Sequence, residues 1–573
     1  MIKILFFLLI TTSLLGVISC KNQKNNEEEN QKVVGDIWMG GTFKFQSHER
    51  ITSLFPLSSI DAYTRNISFQ IFEPLLKTDL SSMRTIPNVA KSYSVNEECT
   101  IYTLELRKNI KFHSDPCFPD ETRDVTIEDF KYSLELACSG LSINKMAYLF
   151  QSRIKGAQSF NRRTRKTIGK NSVSGIKIIS DTTITIELTK PFAGFEQILA
   201  HPNLCIMAKE AVAYYGKDID KHPVGTGPFV LAEMSYERIL LEKNPSYWRF
   251  DKLGNRLPYI DWVELTYSTS KAQELEAFRT EKSDIMMDIP IDQINDILGT
   301  LQAAQKGENI IHKVKSEPSM SMMYIGFACE SKEFKDVRVR QAFNIAVDRN
   351  ELINSHLGGE GWPAANGFIP PLDFYPNEDV IPMCYNVEKA KELLADAGFP
   401  DGKGFPDIEV YVNAQVNSPN FKMVEGVIDQ IEKNLGVCLR IKQCTLKERD
   451  IAIATGKAKM WRAGWIADYA HPENFLSLFY SRNINRNNNT INSFKFNNAE
   501  FDDIFSQAMV EQDETVRNQL FVLCDQKVVD QAVVMPILTE DFIVLINSKI
   551  KNFQPNSMEI LDFSTLFIKS SRR

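Results

Sequence analysis

Two hydrophobic periods interleave along this chain, one of two residues and one near 3.6, as in a protein that mixes strands with amphipathic helices. From Thr100 to Leu106, Ile101, Thr103 and Glu105 alternate with Tyr102, Leu104 and Leu106, which predicts a half-buried strand. Gly175 to Thr189 predicts a hairpin, with a Ser180-Asp181-Thr182 turn between two Ile-rich arms. Ile67 to Leu76 follows a turn-rich opening and reads as a helix, and Val337 to Ser355 has helical spacing at Val339, Phe343, Val347 and Leu352. Asn386 is placed to cap a helix that runs through Leu393 to Ala397, with Gly398 as its stop. Ile408–Val412 reads as a strand and Val437–Ile441 as another. Between them Phe421–Leu435 reads as a helix with Val424, Val427, Ile428, Ile431 and Leu435 on one face. That order predicts an α/β lobe with at least one crossover unit. A helical region near 500–530 precedes the strand-like Phe542–Ile546, the Asn-rich run Asn483–Asn492 reads as a loop, and no internal repeat is visible.

The one long apolar run lies at the N-terminus. Lys3 supplies a positive charge, Ile4–Ile10 is continuously apolar, and the run ends at Val17-Ile18-Ser19-Cys20 before a polar stretch. The segment is too short and too poorly flanked for a spanning helix and reads as an export signal over residues 1–19. It resembles a bacterial lipoprotein signal, which implies that Cys20 becomes the lipidated N-terminus; the alternative is an ordinary signal with an incidental cysteine. Residues 20–35 then form a flexible tether.

The remaining numbers exclude more than they propose. At 573 residues the chain exceeds one compact core. Lys+Arg 66 against Asp+Glu 73 gives −7, so nothing pulls the chain globally toward nucleic acid. A mean hydropathy of −0.23 excludes a polytopic membrane protein. Ten cysteines without a CxxC leave nine beside Cys20, most expected as small packed residues, although Cys438 and Cys444 lie close enough in sequence to pair. Seven scattered histidines show no HExxH or other ligand spacing, so neither a metal nor a cofactor is expected. Gly225-Thr226-Gly227-Pro228-Phe229 is not a phosphate loop, because no GK[ST] follows and Pro228 lacks a backbone donor. No GxSxG elbow or distinct carboxylate dyad points to an enzyme.

Four strings in order resemble the solute-binding lipoproteins of oligopeptide ABC importers. They are Pro223–Phe229 with Asn244–Trp248, Phe334–Arg349, Lys389–Phe399, and Arg462-Ala463-Gly464-Trp465-Ile466-Ala467-Asp468-Tyr469. The resemblance spans about residues 36–565. It implies an α/β, two-lobe periplasmic-binding-protein-like fold (type II, three-domain variant) with a ligand cleft between the lobes. The expected division is 36–76, 175–284 and 536–573 as domain I, 77–174 as domain II, and 285–535 as domain III. It also implies a monomeric, non-enzymatic receptor in the cell envelope, held to the membrane through lipid on Cys20. The receptor would take short peptides and deliver them to permease subunits and their ATPases.

A receptor for many peptides must read their constant parts: a cationic amine, a carboxylate and a regular backbone. The resemblance assigns the amine to Asp468; the alternative for Asp468 is a loop cap beside Pro472. Gly464 lets backbone approach closely and Trp465 offers an apolar wall. Arg462 suits a carboxylate, or else a local Asp. Ala62, Tyr63 and Tyr148 are expected on the facing lobe, while Trp461, Trp362 and Tyr324 are expected in the core. Where enteric members carry a His and an Arg for longer peptides, this chain has Asn420 and Ile453, and their disulfide positions are Ser321 and Ile466. The amine reader is kept and the carboxyl-end readers differ. Two other readings stay open: the same fold binding a metal chelate, haem or glycan, and a surface receptor or adhesin without transport.

Overall fold

The alternation that marks the strands places them in three main sheets. The computed structural model describes residues 31–58, 61–287, 289, 312–364, 366–484 and 491–569. A seven-stranded sheet gathers distant segments in the spatial order Phe229–Met234, Arg238–Lys243, Trp262–Tyr267, Thr42–Ser47, Ile285–Met287, Asp541–Asn547 and His312–Pro318. A four-stranded antiparallel sheet, Ala90–Val95, Ile101–Leu106, Thr183–Glu187 and Ile176–Ser180, extends the same lobe. The second lobe is built on six strands: Trp362–Pro363, Val534–Thr539, Ser321–Phe327, Met460–Ile466, Ile408–Val412 and Leu439–Gln443.

The crossover unit forms as its pattern requires. Ile408–Val412 and Leu439–Gln443 pair in parallel, joined by the helix Pro419–Leu435, which Ser418 caps and Gly436 ends in the left-handed region at φ 69°. Asn386 accepts from the Lys389 N–H at the head of the helix Val387–Asp396. Two expected helices differ. The first runs Ala62–Ile71 and ends before Pro74, and Leu76 opens a strand, Leu76–Thr78, instead of closing the helix. The 337–355 segment breaks into Val337–Ile345 and Arg349–His356, because Asp348 turns its carboxylate back to cap the second helix at Asn350 and Glu351.

Sheet membership also departs from the expected division. The 176–187 hairpin pairs with Ile101–Leu106, not with the seven-stranded sheet. His312–Pro318 belongs to the first lobe and Val534–Thr539 to the second. Gln31–Val33 pairs with Ile37–Met39, so that end of the expected tether is structured; Cys20 and the signal lie outside the described residues. A hydrophobic strand pattern tells which face is buried, not which neighbour it pairs with.

The lobes are joined where two strands cross from one sheet to the other. His312–Pro318 continues through Ser319-Met320 into Ser321–Phe327, and Val534–Thr539 continues through Glu540 into Asp541–Asn547. The crossings touch: Ser319 N–H donates to Glu540 C=O at 2.8 Å, and Glu540 N–H donates to Ser321 Oγ at 3.1 Å. Short paired connections of this kind concentrate backbone rotation in a few residues. Each lobe has its own core, yet they exchange side chains: Tyr469 packs in the first-lobe core and Met83 in the second.

Candidate functional site

The site is built around the strand Met460–Ile466 and the loop after it. Two neighbours fix the orientation of that strand. Ala328 N–H donates to Lys459 C=O at 2.9 Å, and Ala467 N–H donates to Met320 C=O at 2.8 Å, so odd-numbered residues turn their backbone groups toward Ser321–Phe327. Even-numbered residues face the other edge. There, pairing with Ile408–Val412 is confined to Met460 and Trp461. From Arg462 to Ile466 that edge has no strand partner among the described residues. The Arg449 guanidinium reaches the Arg462 carbonyl at 3.2 Å; beyond it, Gly464 and Ile466 present N–H and C=O to an open edge. A Cβ on Gly464 would lie 2.6 Å from the Met323 Cε and Sδ, so glycine keeps this stretch of strand flat and accessible.

Side chains alternate across the same strand. Trp461, Ala463 and Trp465 face a core that includes Tyr324, Leu478 and Phe494. Trp465 donates its indole N–H to Asn474 Oδ1 at 2.9 Å. Arg462 faces the other way, 8% exposed, and touches Asn420 Oδ1 and Met323 Sδ. It makes no ion pair among the described residues, its Nε has no partner, and burial pulls its pKa down. Asn420, at the head of the helix Pro419–Leu435, thus sits against the expected carboxylate reader. Ser321 and Ile466 are direct partners across the antiparallel pair, which places the two former disulfide positions opposite each other.

Asp468 stands in the loop between the strand and the helix Pro472–Leu476. The helix cap falls to His471, whose Nδ1 accepts from Glu473 N–H at 3.1 Å, and so Asp468 is not needed there. Its carboxylate accepts a 2.6 Å hydrogen bond from Tyr148 Oη, which belongs to the short helix Ala147–Phe150 of the first lobe. Burial pushes the Asp468 carboxyl up, against the pull of Tyr148 and the positive fields of Arg153 and Arg65. Neither arginine makes an ion pair with it among the described residues. Arg153 is engaged with Tyr469 Oη at 3.2 Å and Glu473 at 3.5 Å, and Arg65 donates to the Met558 carbonyl at 3.3 Å. Both arginines escaped the sequence reading, because their proximity arises only when the lobes meet.

The structure therefore brings Tyr148 to Asp468, and Gly464, Trp465 and Arg462 onto one strand. Ala62 and Tyr63 are placed differently. Asp61 caps their helix by accepting from Thr64 N–H at 2.7 Å, and Ala62 is half-buried in its first turn. Tyr63 is buried in the first-lobe core with its hydroxyl 3.0 Å from Lys271 Nζ. Trp461 and Tyr324 are buried as expected, but Trp362 is 46% exposed and donates to Asp541. The nine described cysteines are all free thiols, Cys438 and Cys444 included. Among the described residues no cluster of His, Cys, Asp or Glu could hold a metal ion, and no helix is long and apolar enough to cross a membrane.

Two lobes joined by paired strand crossings, with a carboxylate that has no ion pair and a strand edge that has no partner among the described residues near their junction, define a two-lobed binding-protein fold. The chain belongs to the bacterial extracellular solute-binding proteins, family 5, whose pattern matches residues 84–487. It is 26% identical over 483 residues to the periplasmic oligopeptide-binding protein OppA of Escherichia coli K12, covering 82% of each chain. It is also 26% identical to di/tripeptide-binding protein 3 of Pseudomonas aeruginosa, over 85% of this chain and 87% of that one. The fold matches the unliganded open form of the periplasmic murein tripeptide binding protein MppA, with a TM-score of 0.77 at 23% identity over 93% of this chain and 98% of that one. It also matches the DppA binding protein of Helicobacter pylori in complex with the peptide STSA, with a TM-score of 0.69 at 22% identity over 93% of this chain and 99% of that one. Members of this family are binding proteins, not enzymes.

Proposed function

We propose that this protein is the extracytoplasmic receptor of an ABC importer, anchored by lipid on Cys20, and that it binds short peptides in extended form between its lobes. The observation that carries this is Asp468: a half-buried carboxylate beside the lobe junction, hydrogen-bonded from the opposite lobe and without an ion pair among the described residues. A free α-ammonium supplies the missing charge. The ligand backbone then lies along the open edge at Gly464 and Ile466, adding a strand by main-chain hydrogen bonds that ignore its sequence. Its amine lies beyond the C-terminal end of the edge strand, so the peptide runs antiparallel to Met460–Ile466. Arg462, a buried guanidinium that makes no ion pair among the described residues, is the candidate for the ligand carboxylate of short peptides.

Ligand contacts made only when the lobes close shift the hinge at Ser319-Met320 and Glu540. The closed monomer docks on the permease, whose ATPases supply the energy. The division of labour follows the sheets: the seven- and four-stranded sheets form one lobe and the six-stranded sheet the other. Calorimetry with tri- to pentapeptides, free and N-acetylated, tests the reading. Free peptides bind and acetylated ones lose two or more decades in affinity; equal binding of both series sinks the amine assignment.

A further inference from the structure

One face of the first lobe, where Gln31 enters the fold, joins exposed apolar side chains to a cluster of lysines. Val34, Phe250 and Leu253 are 63%, 54% and 52% exposed. They form one patch. A Cβ on Gly35 would lie 2.3 Å from Leu253 Cδ1, the Val34 carbonyl accepts from Asn255 Nδ2 at 3.0 Å, and the Arg256 guanidinium lies 4.9 Å over the Phe250 ring. From Asp36 the face runs on to the strand pair Ile550–Lys551 and Phe567–Ile568. Lys569 lies within the fields of Asp36 and Lys551, and Lys313 within that of Lys551. Lys569 N–H donates to the Lys549 carbonyl at 2.9 Å. The acids of this face are spent: Asp36 pairs with Lys32, Asp284 pairs with Lys549 at 2.7 Å, and Asp251 accepts from Tyr259 Oη and Leu253 N–H. Lys313, Lys551 and Lys569 make no ion pair among the described residues. Burial, with the charges of Lys313 and Lys569, pulls the Lys551 pKa down.

Exposed apolar tips beside uncompensated cations match the chemistry of an anionic bilayer, whose headgroup boundary takes the tips and whose phosphates take the ammonium groups. Resting on the lipid-anchor reading above, we infer that this face of the first lobe lies on the membrane, with Val34, Phe250 and Leu253 at the level of the headgroups and Lys313, Lys551 and Lys569 against anionic phospholipid phosphates. The anchor brings the contact within reach, because the eleven residues from Cys20 to Gln31 span at most about 40 Å. A face tethered that closely meets the bilayer at high effective concentration, so weak contacts are enough to hold it. Three lysines near an anionic surface bias the orientation of the tethered body about a hundredfold, and salt weakens the bias. The second lobe, carried on the crossings at Ser319-Met320 and Glu540, is left free to move.

The test is hydrogen exchange read by mass spectrometry on the full chain, purified from membranes in detergent and moved into vesicles of phosphatidylcholine alone or with one third phosphatidylglycerol. The mass of the N-terminal peptide reads the lipid on Cys20 independently. Amides of 34–36 and 249–254 are expected to exchange at least about fivefold more slowly on the anionic vesicles than in micelles, and to return within about twofold of the micelle rate on phosphatidylcholine alone or in about 0.5 M salt. Equal slowing on both vesicle types overturns the assignment of the lysines. Lys313→Glu combined with Lys569→Glu, both at exposed positions, is expected to abolish the slowing at an unchanged melting temperature, and undiminished slowing in that folded variant overturns the assignment. A lipidated protein that shows no slowing on anionic vesicles overturns the membrane face and leaves the anchor standing. Slowing in a protein without the lipid upholds the face and overturns the anchor, and a protein with neither lipid nor slowing overturns both.

Discussion

Glu73 is a buried carboxylate and Asp468 a half-buried one, and burial pushes both up. Glu73 accepts from Tyr247 Oη at 3.0 Å, Trp248 Nε1 at 2.9 Å and Thr226 Oγ1 at 3.0 Å, within the field of Arg249. It ties the Gly-Thr-Gly-Pro-Phe and Asn-Pro-Ser-Tyr-Trp segments to the end of the helix Ala62–Ile71. The fit there is so close that a Cβ on Gly225 would lie 2.0 Å from the Ile71 carbonyl oxygen. Asp468 has one hydrogen bond and no ion pair among the described residues. A buried charge whose hydrogen-bonding capacity is used up by its own chain is holding structure, and one left short is placed to receive something else.

The largest expected effect separates the two carboxylates by what is lost. Asp468→Asn keeps the shape and removes the charge. It should lower affinity for free-amine peptides by two to four decades, roughly 3–5 kcal/mol, while the melting curve barely moves. A large drop in stability with affinity intact would erase the distinction. Glu73→Gln should do the converse. Chemical denaturation should show a loss of roughly 3 kcal/mol, because its three donors and Arg249 lose their charged acceptor, while peptides of every type weaken together or not at all.

The pH dependence sharpens the comparison with groups on both sides. Burial holds His113 at about 4 and His201 at about 3. Below an unfolded value near 6.5 the unfolded chain binds more protons, so stability falls as pH drops from about 6.5 toward 4, by roughly 2 kcal/mol per histidine at pH 5. Asp525 is held at about 7 by burial, against hydrogen bonds from Phe368 N–H, Ile369 N–H and Tyr375 Oη. The folded state therefore binds its proton between about 7 and the ordinary carboxylate range, so this group gains stability as pH falls. Asp525→Asn removes that gain, and its stability between pH 7 and pH 5 should fall about 2 kcal/mol further than wild type does. An equal change in unfolding free energy between the two pH values in the variant and in wild type, measured by urea titration, contradicts the assignment.

The smallest effect concerns the contact across the lobes. Tyr148→Phe deletes the hydrogen bond that favours the Asp468 carboxylate, so the carboxyl should rise further. Peptide binding, lost in acid as Asp468 takes a proton, should then be lost at a higher pH, with about 1 kcal/mol or less of change near neutrality. An unmoved acid limb in calorimetry would disconnect Tyr148 from the site.

Much was legible in the chain before any coordinate. Helix caps at Asn386 and Gly436, the 175–189 hairpin and the crossover unit at 408–443 follow from short-range spacing, because backbone sterics and period act within a few residues. The same holds for the grouping of Arg462, Gly464, Trp465 and Asp468, which neighbour one another in sequence. The partners on the other lobe were only partly legible. Tyr148 lies beside Asp468, whereas Tyr63 turned inward to Lys271 and Arg65 and Arg153 went unnoticed.

The sequence by itself determined the periods, the caps, the local motifs and the family they resemble, since each is written in residues a few positions apart. Only the tertiary structure decided which strands share a sheet, that His471 and not Asp468 caps the helix at Pro472, and that the edge beyond Trp461 stays open. Those outcomes depend on pairing between segments hundreds of residues apart. A local hydrophobic pattern fixes which face a segment buries and leaves the identity of its neighbour to the packing of the whole.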